Sequence, residues 1–100
     1  MNQYTVYVIP QALHEIEHLP GHVRQRAKRA IDALEKDPHP PGSKELRPVG
    51  DSEYALWRIR LGDWRIVYAI TEADRAIDVL TVRRRPPYDY GDLGILLTDI

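Results

Sequence analysis

The clearest pattern in the chain is the alternation of apolar and polar side chains on both sides of Gly62-Asp63. Residues 54–61 and 64–68 repeat with a period of two, the spacing of a half-buried strand, and Gly at the first central position suits a two-residue type II′ turn. That turn fixes a register in which Leu61 faces Trp64, Arg60 faces Arg65, Ile59 faces Ile66 and Trp57 faces Tyr68. One face of the hairpin then carries Ala55, Trp57, Ile59, Leu61, Trp64, Ile66, Tyr68 and Ile70 and reads as a core face. The other carries Leu56, Arg58, Arg60, Arg65, Val67 and Ala69. Arginines directly opposite each other cost stability unless an anion sits between them, so the pairing of Arg60 with Arg65 marks a candidate anion site.

The other elements follow from the same kind of pattern. Residues 3–9 alternate Tyr4, Val6 and Val8 against Thr5, Tyr7 and Ile9 and stop at Pro10, which predicts a first strand. Residues 11–19 predict a short helix with Ala12, Leu13, Ile16 and Leu19 as its buried stripe, ended by Pro20-Gly21. A longer helix over 22–36 buries Val23, Ala27, Ala30, Ile31 and Leu34. Asp37-Pro38-His39-Pro40-Pro41-Gly42-Ser43 cannot continue it and begins a loop to about Ser52. Past the hairpin, 71–74 is a polar turn, and 76–82 is a last strand with Ile77, Val79 and Thr81 alternating against Asp78, Leu80 and Val82. Pro86-Pro87 ends that strand, and the tail over 88–100 either forms a short helix capped by Asp92 or offers its apolar residues to a partner. The order β-α-α-β-β-β predicts an α+β fold: a four-stranded, mostly antiparallel twisted sheet with the N-terminal helix hairpin on one face and the opposite face open.

Composition narrows the chemistry. One hundred residues suffice for one domain with a single modest core. The formal net charge of −1 hides an asymmetry, since every basic residue from Arg58 to Arg85 is Arg and three are consecutive at Arg83-Arg84-Arg85. A near-neutral chain with a local arginine cluster fits a focused phosphate site better than a general polycation. With no cysteine, neither disulfides nor thiolate chemistry is available. No apolar run reaches membrane-spanning length and no signal-peptide pattern is present, so a cytoplasmic location with no membrane partner is expected.

Two constellations carry candidate chemistry. His14-Glu15-Ile16-Glu17-His18 matches H-E-x-x-H, in which the histidines ligate zinc and the Glu activates water. Gly21 fills the glycine slot of the extended form, but Arg24 occupies the third-ligand slot and His22 comes two positions early. The helix is short, and its apolar stripe turns both histidines to solvent, so a polar helix face with no metal is the expectation. In the second constellation Arg58, Arg60 and Arg65 share one hairpin face, Arg83 or Arg85 can reach the same side from the neighbouring strand, and Tyr88 and Tyr90 follow. Guanidinium forks bind phosphates and tyrosines stack on bases, which together describe a small RNA groove. The plainer alternative is a solvated strand face with salt bridges to Glu53, Asp63 or Asp78.

The succession Tyr4-Thr5-Val6-Tyr7-Val8, Leu19-Pro20, Ala30-Ile31-Asp32-Ala33-Leu34, Lys44-Glu45-Leu46 and Trp57-Arg58-Ile59-Arg60-Leu61-Gly62-Asp63-Trp64-Arg65-Ile66-Val67-Tyr68 resembles the RelE/ParE superfamily of toxins. The hairpin is its most specific part, close to the family's Y-R-I-R-x-G-D-Y-R-V-I-Y, and the likeness runs to about Tyr90. It implies one RelE-like toxin domain over 1–100, acting as a ribosome-dependent endoribonuclease without cofactor, with mRNA, the ribosome and a cognate antitoxin as partners. In the RelE branch of the superfamily the RNA's 2′-hydroxyl attacks the adjacent phosphate and basic residues stabilise the charge. By position, Arg65 resembles the arginine that steadies the scissile phosphate, Arg58 and Arg60 the two basic positions of the preceding strand, and Arg85 the basic residue after the last strand. Tyr88 or Tyr90 resembles the base-stacking tyrosine, while Lys44, Arg47 and Arg83 would add contacts to RNA. Where active members place Lys, His or Glu to move a proton, the matching positions here hold Arg, which does not deprotonate. The same resemblance leaves two other functions open: a ParE-like inhibitor of DNA gyrase, and a non-toxic remnant that only binds an antitoxin.

Overall fold

The computed structural model describes residues 3–46 and 55–84. In chain order these form β1 (Thr5–Val8), α1 (Pro10–Glu17), α2 (Gly21–Ala33), β2 (Lys44–Leu46), β3 (Ala55–Leu61), β4 (Trp64–Thr71), a 3-10 turn (Glu72–Asp74) and β5 (Ala76–Arg84). The strands make one sheet in the order β1-β5-β4-β3-β2. β1 runs parallel to β5, and every other neighbouring pair is antiparallel. The α+β class and the helix hairpin are as the sequence predicts, but the sheet has five strands instead of four. The extra strand, β2, lies inside the stretch expected to be loop. Lys44-Glu45-Leu46 is too short to show alternation, and its strand character comes from pairing with Arg58, Trp57 and Leu56 of β3.

The β3–β4 hairpin has the expected register, Leu61 against Trp64 through Ala55 against Ile70. Of the two turn residues only Gly62 has positive φ, at 61°, as a type II′ turn requires. Pro10 opens α1 at a position where its missing N–H costs nothing and its fixed φ is already helical. In α2, Val23, Ala27, Ile31 and, one turn on, Leu34 form the buried stripe. Ala12, Ile16 and Leu19 are buried in and after α1, whereas Leu13, expected inside, is 48% exposed because Ala12 and Ile16 take the inward direction.

In the β4–β5 ladder Val67 pairs with Thr81 and Tyr68 with Val79, so Leu80 is an extra residue, a β-bulge. Strict alternation from Asp78 would put Leu80, Val82 and Arg84 on its face. With the bulge, Thr81 and Arg83 take those places instead, beside Val67 and Arg65.

Both sheet faces are buried. On one lie Ile59, Ile66, Tyr68, Ile70, Ile77 and Val79. Ile31 of α2 shares a cleft on this side with Val6 and Val8, and the Tyr68 hydroxyl donates to the Pro38 carbonyl at 2.7 Å. Burial pushes the Tyr68 hydroxyl up to about 12, so it remains a donor at any ordinary pH. The second face, expected to be open, buries Leu56, Arg58, Arg65, Val67, Ala69 and Asp78. Alternation could not show this, because an arginine in a strand reads as solvent-facing unless something covers it. Among the described residues no helix is long and apolar enough to cross a membrane.

β1 pairs only with Ala76 to Val79 of β5, and the last bond on that side is from the Ile9 N–H to the Val79 carbonyl at 3.2 Å. Beyond it, α1 takes over the edge. Glu15 Oε1 accepts the Val82 N–H at 3.0 Å and the Thr81 hydroxyl at 2.6 Å, satisfying a backbone donor that would otherwise be an unpaired strand edge.

Because Gly62 holds a backbone conformation that L side chains rarely adopt, Gly62→Ala is expected to lower stability by about 1–3 kcal/mol. Urea unfolding should show a lower midpoint with an unchanged slope.

Candidate nucleic-acid interface

Register brings the basic residues together in two adjacent rows. Arg60 of β3 pairs with Arg65 of β4, which pairs with Arg83 of β5. In the next row Lys44 of β2 pairs with Arg58, Arg58 with Val67, and Val67 with Thr81. Neighbouring strands stand about 5 Å apart and same-face residues along a strand about 7 Å apart. Five cationic side chains thus leave one sheet face from a patch roughly 15 Å across.

The patch is graded in depth. Lys44 and Arg60 are exposed and Arg83 is half-buried, while Arg58 and Arg65 retain 7% and 6% of their exposure. Arg58, Arg65 and Arg83 each make further interactions within the chain. Guanidinium groups keep their charge when buried, so they must be compensated by hydrogen bonds or anions. Guanidinium ends about 6–8 Å apart repel by roughly 2–3 kcal/mol at an effective dielectric near 20. A favourable cross-strand pair returns only about 0.2–1 kcal/mol, so a row of three arginines needs compensating partners or a bound anion.

Arg83 is the member whose orientation is most visible. Its Nε–H donates to Thr81 Oγ1 at 3.2 Å, and Thr81 in turn donates to Glu15 at 2.6 Å. Neither Thr81 nor Glu15 reads in the sequence as part of the arginine site. Thr81 reads as one more β-branched strand residue, and Glu15 as the water-activating Glu of an H-E-x-x-H match. The structure engages that carboxylate otherwise: besides Thr81 and Val82, its second oxygen accepts Gln11 Nε2 at 3.3 Å. His14 and His18 are exposed, with their ring centroids 4.3 Å apart and His18 Nδ1 against the His14 carbonyl at 2.7 Å. No group of three or more potential ligands among His, Cys, Asp and Glu gathers among the described residues.

The third row on this face is Leu56, Ala69 and Asp78. Asp78 is 6% exposed, and burial raises its carboxyl above the ordinary aspartate value. Arg84, paired with Trp64, is directed to the other face. Of the expected site residues, Lys44, Arg58, Arg60, Arg65 and Arg83 therefore converge. Arg47, Arg85, Tyr88 and Tyr90 lie outside the described residues, as do Glu53 and the tail over 88–100.

The family model for the ParE toxin of the type II toxin-antitoxin system, parDE, matches residues 6–86. The crystal structure of an archaeal RelE–RelB complex from Pyrococcus horikoshii OT3 contains a chain 30% identical, with a TM-score of 0.73, covering 87% of this chain and 99% of that one. A Methanocaldococcus jannaschii protein described as toxin RelE1 is 24% identical over 83 residues, 83% of this chain and 91% of its own. The isolated Escherichia coli RelE toxin shares the fold, with a TM-score of 0.67 at 21% identity over 95% of this chain and 98% of that one.

A carboxyl whose folded-state value is raised binds its proton more tightly in the native state, so the cost of its charge appears as pH rises from the unfolded value, near 3.8, through the folded one. The stability of Asp78→Asn relative to the unsubstituted chain should accordingly increase with pH across that window and level off above it. Thermal melts from pH 3 to 8 read this directly; a pH-independent difference would remove the buried charge from the account.

Proposed function

The chain belongs to the RelE/ParE superfamily of toxins from type II toxin–antitoxin systems, and from that premise we propose that it is an endoribonuclease that cleaves mRNA on the ribosome. The observation that carries the proposal is the row Arg60-Arg65-Arg83 set beside Lys44-Arg58 on one sheet face. A dianionic transition state needs several positive charges held at fixed positions before it forms, and a β-sheet supplies fixed positions. Exposed Lys44 and Arg60 meet the RNA backbone first. Arg65, beneath them, steadies the scissile phosphate with Arg58, and Arg83 closes the row.

In the reaction the 2′-oxygen attacks the adjacent phosphorus, the bond from phosphorus to the 5′-oxygen breaks, and the products are a 2′,3′-cyclic phosphate and a 5′-hydroxyl. Arginine stays protonated, so the cluster contributes charge and positioning; the 2′-hydroxyl proton passes to water or to a carboxylate such as Glu53, and water supplies a proton to the departing 5′-oxygen. By the resemblance, Arg85 supplies a further basic group, Arg47 a contact to RNA, and Tyr88 or Tyr90 the stack on a base. The partner is a cognate antitoxin, supported by the Pyrococcus horikoshii relative having been solved as a RelE–RelB complex. Ribosome and mRNA place the protein's action in the cytoplasm. A second function follows from the matching family model being that of ParE: inhibition of DNA gyrase through protein contacts, for which the arginine row would be dispensable.

Purified protein added to translating ribosomes should give codon-spaced mRNA cuts ending in 2′,3′-cyclic phosphate. Arg65→Ala, checked for an intact melting transition, should slow cleavage by about 10²–10³-fold, as loss of one oxyanion donor does. Exposed Arg60→Ala should weaken cleavage without loss of stability. Gyrase-dependent DNA breaks with intact mRNA would overturn the proposal.

A further inference from the structure

We propose that Glu15 and Thr81 act as a positioning relay that sets the orientation of Arg83 for phosphate, an inference that rests on the arginine rows being the phosphate site. The relay starts from α1, far from the row in sequence. Glu15 Oε1 receives the Thr81 hydroxyl at 2.6 Å and the Val82 N–H at 3.0 Å, and Thr81 Oγ1 receives the Arg83 Nε–H at 3.2 Å. The direction of this chain is determined by chemistry. A carboxylate can only accept, so the single Thr81 proton goes to Glu15, and the hydroxyl lone pairs are left to accept from Arg83. A charged acceptor polarises the hydroxyl and strengthens its bond to the guanidinium.

The geometry is specific to this strand. Only the bulge at Leu80 puts Thr81 and Arg83 on the face of Arg65. Thr81 is completely buried, so its hydroxyl is not shared with bulk water. With Nε donating to Thr81, that edge of the guanidinium is held before any ligand arrives. Arginine loses much rotamer freedom when it binds; a relay that has already fixed the head group lowers that loss. The Val82 N–H holds Glu15 independently of Thr81, which makes Thr81→Val a local test: the shape is kept and only the oxygen is lost.

The experiment uses the full chain labelled with 15N at arginine. In the unsubstituted protein and in Thr81→Ser, the Arg83 Nε–H should be protected from solvent exchange. In Thr81→Val that protection should be lost, and affinity for inorganic phosphate, read by titration of the arginine signals, should fall about fivefold to tenfold, the net worth of one ordinary hydrogen bond. On the ribosome, Thr81→Val should lower kcat by a similar factor, with Thr81→Ser restoring it. If Thr81→Val does not fold, Glu15→Gln, which keeps the acceptor oxygen and loses the charge, should weaken phosphate binding about twofold to threefold; unchanged affinity overturns the relay. An Arg83 Nε–H still protected in Thr81→Val, or phosphate affinity and cleavage both unaltered there, also overturns it. Absence of mRNA cleavage by the unsubstituted protein counts against the nuclease function instead, and the exchange and phosphate measurements still decide the relay.

Discussion

Strand register is the constraint on which the rest of the structure depends. It is set twice, once by the Gly62-Asp63 turn and once by the extra residue at Leu80. The turn, with positive φ at Gly62, aligns Arg60 with Arg65. The bulge then moves β5 by one residue, so that Arg83 and not Arg84 lies beside Arg65. A slip of one residue at either place would send an arginine to the opposite face, because side chains alternate along a strand. Bulges recur where a side chain must be re-aimed, and here the re-aimed side chain is Arg83.

The helices contribute through the edges of the sheet as much as through its core. α2 contributes Val23, Ala27 and Ile31 to the core, and each is almost fully buried. α1 covers the part of β5 that β1 is too short to reach, with Glu15 standing in for a missing strand. One carboxylate thereby joins two tasks: it satisfies a backbone donor, and it polarises the hydroxyl that holds Arg83. A substitution at Glu15 would be felt both in the edge of the sheet and in the orientation of a guanidinium group.

Much of this was legible in the residues. The hairpin, its turn and its register followed from a period of two around Gly-Asp, since both signals are local. The buried stripe of α2 followed from a period near 3.6 in the same way. What was not legible depended on long-range contact. β2 has three residues and no pattern of its own, and it exists through its pairing with β3. Arg58 and Arg65 looked exposed because charge usually means solvent, yet each is buried. The bulge at Leu80 leaves no compositional mark in Val79-Leu80-Thr81-Val82. Glu15 was hidden by its motif, and its true partners lie 66 and 67 residues further along the chain.

The central claim is that the arginine face of a RelE/ParE superfamily fold grips the phosphate at which mRNA is cut. Its most direct test is the structure of the protein on a ribosome carrying mRNA with a 2′-deoxynucleotide at the cleavage position, which binds but lacks the attacking hydroxyl. The scissile phosphate should lie within hydrogen-bonding distance of the Arg65 guanidinium and of Arg60 or Arg83. A phosphate seated elsewhere on the protein, with the Arg60-Arg65-Arg83 row facing no RNA, would contradict it.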